Sequence, residues 1–207
     1  MTAAQTTAPN APADLVLEDA APEDIAAELD RVSADERAQR LDAAAAAWTE
    51  RLSANPVAGR ITARAEGFAA GAVATAISAG RHRFVVDEPA PLAGDDHGPS
   101  PVEYLLGALV GCQTVVYRLV AQELGLRIDA LEFDARGRLD VRGLFGADPA
   151  VRAGFQDIAL VVRITGPEPR ERYEELQRLV DARCPVGETL EHGTALATTL
   201  EVTPSER

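Results

Sequence analysis

The chain has 207 residues, with 33 acidic against 20 basic side chains and a formal charge of −13. That charge repels phosphate backbones and anionic lipids, and no basic stripe offsets it, so neither nucleic acid nor membrane is expected as a partner. Hydrophobic residues make up 46% of the chain, enough for one core of ordinary domain size plus an extension. There is no basic segment followed by a short apolar one, and no run approaches the roughly 18 apolar residues of a membrane span. With only two cysteines, far apart, the expected compartment is a reducing cytoplasm.

Residues 1–22 are dominated by Ala, Pro, Thr, Asp and Glu, with one short apolar run at Leu15–Leu17, and read as a disordered acidic tail. Residues 23–55 read as an N-terminal helical extension. Ile25, Leu29 and Val32 repeat at helical spacing, as do Leu41, Ala45, Trp48 and Leu52. Ser33-Ala34-Asp35-Glu36 has the form of a capping box and predicts a break between two helices. Asn55-Pro56 marks the boundary to a domain over 56–207.

Beyond that boundary the period changes to two. Arg60–Glu66, Ala72–Ser78 and Arg81–Val86 read as strands set apart by Gly67, Gly71 and Gly80. A loop over Asp87–Gly98 leads to a helix over Pro101–Glu123, ended by Gly125. Strict alternation predicts a strand over Leu131–Leu139, and Phe155–Thr165 supplies another. A helix over Glu168–Ala182, a short one from Cys184 to Gly193, and a closing strand over Thr194–Val202 complete an α+β order.

Both cysteines lie in settings that bear on reactivity. Ser100-Pro101-Val102-Glu103 reads as a helix start in which Glu103 reaches back to the Ser100 amide. On that helix Leu105, Leu109, Val115, Val116 and Leu119 surround the Cys112 face, so burial is expected there, and burial raises a thiol pKa. Glu103 stands nine residues earlier, about half a turn away, so the ideal helix does not unite it with Cys112. Cys184, just before Pro185, is placed as a helix N-cap, where backbone amides lower a thiol pKa. At this level two readings stay open: a reactive pair, or two packing thiols.

Several stretches taken together resemble the OsmC/Ohr family of osmotically induced and organic-hydroperoxide-resistance proteins. They are Val86-Asp87-Glu88-Pro89, Gly98-Pro99-Ser100-Pro101, Glu103 through Cys112, Asp140 through Gly146, Gly154 through Ile158, and Cys184-Pro185-Val186. The resemblance spans roughly Gly59 to Val202. It implies an α+β OsmC-like fold, with two antiparallel sheets wrapped around long central helices in an intertwined homodimer. It implies a thiol peroxidase in which Cys112 attacks an organic hydroperoxide and becomes a sulfenic acid that Cys184 resolves. A dithiol such as a lipoyl group would act as reductant, without metal, flavin or haem.

Two departures bear on the site. The acid sits at Glu103, one place later than in the well-studied members, where Val102 stands instead. The early-loop arginine of those members has no counterpart in Glu66–Gly71, which leaves Arg64, Arg81 and Arg83 as substitutes, with Arg83 taken as the candidate. The competing expectation is a family fold without peroxidase chemistry that binds a small apolar or acyl ligand at the dimer interface. A metal reading of Asp95-Asp96-His97 is disfavoured because contiguous residues rarely converge on one ion. A cysteine hydrolase would need a His beside the thiol, and none is suggested by local sequence.

Overall fold

The computed structural model describes residues 21–29 and 32–204, so nearly all of the expected tail over 1–22 lies outside the described residues. The chain divides into two compact units, Met1–Ala44 and Ala45–Arg207. In the first, α1 (Pro22–Leu29) precedes the start of α2 (Ala34–Ala54), which continues into the second unit. Ser33 Oγ accepts the Glu36 N–H at 3.1 Å, the N-cap that the sequence predicts. The alanine-rich α2 buries none of its residues, and its second half sets the Arg51 guanidinium 5.0 Å from the centre of the Trp48 ring.

After α2 the second unit forms an antiparallel sheet of β1 (Ala65–Ala70), β2 (Ala74–Ala79) and β3 (His82–Val86), in that order. The first two strands lie later than expected. Gly67 sits inside β1, opposite Ile77, instead of ending a strand. The reversals fall at Gly71 and Gly80, which hold φ of +55° and +57° that side chains rarely adopt. Alternation sets the period of a strand, but the turn chemistry sets where it stops.

The loop after β3 folds back on one buried carboxylate. Asp87 accepts the N–H of Glu88 at 2.9 Å, of Asp95 at 3.1 Å and of His97 at 3.2 Å, with His97 Nδ1 also at 3.2 Å. The loop lies so close that a side chain on Gly94 would strike the Glu88 carbonyl, 1.6 Å from its Cβ. Ala93 and Asp96 are both held at positive φ. This loop delivers the chain to Ser100, the N-cap of α3 (Pro101–Glu123). The capping box is complete: Ser100 N–H donates to Glu103 Oε2 at 2.8 Å, and Ser100 Oγ accepts the Glu103 N–H at 3.4 Å.

After α3 the chain forms β4 (Ala130–Arg138), the short α4 (Val141–Leu144) and β5 (Asp157–Thr165). β4 and β5 pair antiparallel with Phe133 opposite Val162. Then α5 (Arg170–Arg183) and α6 (Pro185–His192) meet at Cys184. Thr194–Val202, expected as a strand, has no regular structure, and Leu196, Leu200 and Val202 are 73–90% exposed. A strand exists only through hydrogen bonds to a neighbour, and this segment pairs with neither of the two sheets.

The core lies between α3, α5 and the β4–β5 sheet. Val116, Tyr117, Val120 and Ala121 of α3 pack on Leu176, Val180 and Cys184, with Phe133 and Val162 of the sheet beneath. By length and hydropathy alone α3 is apolar enough to cross a membrane, which the sequence reading did not anticipate. Its buried stripe is instead that of a central core helix.

Two outcomes follow from the loop and the cap. Hydrogen bonds from Glu88 and His97 hold the Asp87 carboxyl below its usual range. The stability it adds is therefore present above the ordinary Asp pKa of about 3.9 and is lost as pH falls through the lower folded value. Thermal unfolding of Asp87→Asn is expected to show a midpoint several degrees lower at neutral pH and a flatter decline below about pH 4 than the parent. Ser100→Ala is expected to cost about 1 kcal/mol in chemical denaturation, the value of one N-cap.

Candidate active site

The two cysteines, 72 positions apart in the sequence, are neighbours in space. The buried stripe of α3 runs through Leu109, Gln113, Val116, Tyr117 and Val120. An apolar strip on its other side is open: Leu105 is 37%, Val115 58% and Leu119 39% exposed. Cys112 stands on the border between the two. It is half-buried, not enclosed as the spacing of its neighbours suggested. The expected surrounding face is split because one chain covers only one side of this helix.

Cys184 is fully buried. It terminates α5, where its N–H donates to the Val180 carbonyl at 2.9 Å, and it begins α6, where its sulfur accepts the Gly187 N–H at 3.4 Å. Cys112 packs against the core cluster that contains Cys184, and the two thiols interact electrostatically. The N-cap geometry expected from Cys184-Pro185 is therefore present, but its electrostatic consequence is reversed. Burial pushes the Cys184 thiol above its ordinary value, and contact with Cys112 pushes the same way. The amides of Gly187 and Val186 pull down and do not prevail. A thiolate enclosed by Leu176, Val180 and Val116 loses more solvation than two amides return.

Glu103 serves the helix start. Its Oε2 takes both the Ser100 N–H and, at 2.7 Å, the Ser100 hydroxyl, and these bonds hold its carboxyl below the usual range. Arg83 is not brought to the thiols within this chain. Its guanidinium donates to the His82 carbonyl at 2.9 Å and the Gly80 carbonyl at 3.4 Å, on the exposed β2–β3 hairpin. Arg64 pairs with Glu66 at 2.6 Å. Strand alternation shows which residues share a face; it does not show what lies opposite that face.

Two site residues escaped the sequence reading. Gln113 and Gly187 line a cavity of about 650 Å³ whose walls come from α3, α6 and the start of β5. Leu105, Leu109, Phe155 and Leu190 give it apolar surface, while Arg152, Asp181 and Glu191 bring charge to it. Burial, and then the nearby Glu191, raises the Asp181 carboxyl above its ordinary value. Gln113 directly follows Cys112, and a polar residue within an apolar helical stripe was the available signal. Among the described residues no three His, Cys, Asp or Glu side chains are grouped to hold a metal, and His97 turns to Asp87.

The family model for OsmC-like protein matches residues 94–199, which contain α3, both cysteines and the β4–β5 sheet. No curated protein matches the chain. Among solved structures the fold is similar to an OsmC-like protein of Mycoplasma pneumoniae, at 20% identity and a TM-score of 0.55 over 63% of this chain and 88% of that one. It is also similar to an organic hydroperoxide resistance protein OsmC of Legionella pneumophila, at 18% identity and a TM-score of 0.51 over 64% of this chain and 91% of that one. An organic hydroperoxide resistance protein of Elizabethkingia anophelis aligns at 18% identity and a TM-score of 0.50 over 63% and 88%. At these identities the solved structures speak for the fold alone. The family model covers just over half of the chain and both thiols, and on that ground the chain belongs to the OsmC-like protein family.

Proposed function

We propose that this chain is a thiol-dependent peroxidase that reduces organic hydroperoxides, with Cys112 as the attacking thiol and Cys184 as its resolving partner. The observation that carries the reading is that the half-buried Cys112 packs against the core cluster of the fully buried Cys184, where the two thiols interact. An attacking thiol must be reachable by the peroxide, whereas a resolving thiol needs only to reach the first sulfur. The Legionella and Elizabethkingia proteins, whose names state organic hydroperoxide resistance, share the fold, and the proposed chemistry accords with those names.

In the first step the Cys112 thiolate attacks the terminal peroxide oxygen. An S–O bond forms, the O–O bond breaks, and the alkoxide leaves as the alcohol with the proton that Cys112 gave up. Sulfur is oxidised by two electrons and the peroxide is reduced by two. In the second step the Cys184 thiolate attacks the sulfenic sulfur, an S–S bond forms, and hydroxide leaves as water with the Cys184 proton. A dithiol such as a lipoyl group then reduces the disulfide by exchange. The raised Cys184 pKa suits this order, since a thiol kept protonated does not compete for the peroxide.

We further propose a homodimer. The open strip of Leu105, Val115 and Leu119 on α3, the exposed Phe68 of β1 and the unpaired segment Thr194–Val202 form apolar surface that a second copy would cover. The site would then lie at the interface, where the other subunit would supply a cation to the thiolate. Two free thiols fit a reducing cytoplasm. A second reading, ligand binding without peroxidase chemistry, draws on the 650 Å³ cavity with its apolar wall.

The pre-reduced wild-type protein, titrated with cumene hydroperoxide, is expected to lose two thiols and form one disulfide. Cys112→Ser is expected to lose none, and Cys184→Ser to stop at a sulfenic acid that dimedone traps at Cys112. Intact thiols in the wild type at excess hydroperoxide would sink the peroxidase reading and leave the binding one. Closure of the disulfide is also expected to accelerate as pH rises through neutrality and beyond. The Cys184 pKa is raised, and below it each unit of increase in pH gives about tenfold more thiolate. Stopped-flow measurement of the second phase checks that slope.

A further inference from the structure

Three polar or charged residues are buried among the described ones: Asp87, Ser100 and Gln113. Asp87 is served by backbone N–H groups and Ser100 by the capping box. Gln113 differs from both. It is 4% exposed, and its Oε1 accepts no hydrogen bond. An unserved buried carbonyl is costly, so this residue is held ready for a donor that the described residues do not provide.

Its surroundings indicate which donor. Gln113 follows Cys112 on α3 and lies on the wall of the 650 Å³ cavity. Across from it stands Gly187, the residue whose N–H bonds the Cys184 sulfur. A Cβ built on Gly187 would be 3.4 Å from Cys184 Sγ and 3.6 Å from Gln113 Nε2. The amide and the sulfur thus flank one gap, left open because position 187 has no side chain. The carbonyl end is covered from solvent. A turn about the last side-chain torsion, which is broad for a Gln amide, exchanges it with Nε2 at the gap.

We propose that Gln113 Oε1 accepts the O–H of the bound organic hydroperoxide and retains it as the hydroxyl of the Cys112 sulfenic acid. This rests on the peroxidase reading and adds the group that orients the peroxide. The atom balance explains why one acceptor serves both states. Attack on the terminal oxygen breaks the O–O bond but leaves the O–H bond intact, so the same hydrogen is carried from peroxide to sulfenic acid. Leu105, Leu109, Phe155 and Leu190 take the organic group. Gln113 is released when Cys184 displaces the hydroxyl as water.

The test compares two electrophiles on the pre-reduced full chain. tert-Butyl hydroperoxide carries the O–H donor, and N-ethylmaleimide carries none. Gln113→Met is expected to lower the second-order rate of Cys112 oxidation by the hydroperoxide about tenfold or more, roughly the value of one hydrogen bond. Alkylation of Cys112 by N-ethylmaleimide, followed by mass spectrometry, is expected to stay within about twofold, since the donor-free reagent loses no bond. Equal slowing of both reactions would mark a structural role and overturn the assignment. An unchanged hydroperoxide rate would overturn it while leaving the peroxidase reading intact. A wild type inert to hydroperoxide would overturn both. If Gln113→Met does not fold, Gln113→Asn serves in its place, because its carbonyl stops one methylene short. It too is expected to lose the hydroperoxide rate selectively, and failure to do so overturns the assignment.

Discussion

The fold and the site both depend on the burial of Cys184 against the inner stripe of α3. One residue closes α5 with its N–H and opens α6 with its sulfur, so the chain turns at a fully buried side chain. Leu176 and Val180 on one arm, with Val116, Tyr117 and Val120 on α3, form the apolar wall that makes this turn favourable. The same wall decides the chemistry of the thiol. Amides at a helix start favour a thiolate, but the loss of solvation inside that wall is larger. Cys184 is thus held as a thiol, near Cys112 but closed to solvent.

The α3 helix has one face fixed by this core and another that the chain leaves open. Cys112 occupies the line between them, which gives it a buried neighbour on one side and access on the other. The start of the helix is fixed separately. Ser100 and Glu103 satisfy each other, and the loop before them is gathered by the Asp87 carboxylate. A carboxylate used in this way sets where the helix begins and hence how far along it Cys112 falls.

The cavity beside the cysteines has an uneven polar inventory. Asp181 and Glu191 repel each other along its lining, and Arg152 brings the opposite charge to the same lining. Gln113 alone has a buried atom without a partner among the described residues. Where a structure satisfies its other buried polar groups, a single unsatisfied one marks a place built around something else.

The sequence by itself determined the local structure where a short-range signal was complete. The limits of α3 followed from Ser100-Pro101-Val102-Glu103 and Gly125, the N-cap of α6 from Cys184-Pro185, and the family from the order of motifs around both cysteines. It misplaced β1 and β2, because the turns at Gly71 and Gly80, and not the alternation, set the strand ends. Only the tertiary structure decided the rest. It united Cys112 with Cys184, raised the Cys184 pKa, left Arg83 on its own hairpin and left Thr194–Val202 unpaired. The physical reason is common to all four. Capping and helical period depend on residues within one turn, whereas solvation, charge contact and strand pairing depend on groups that the chain brings from far away.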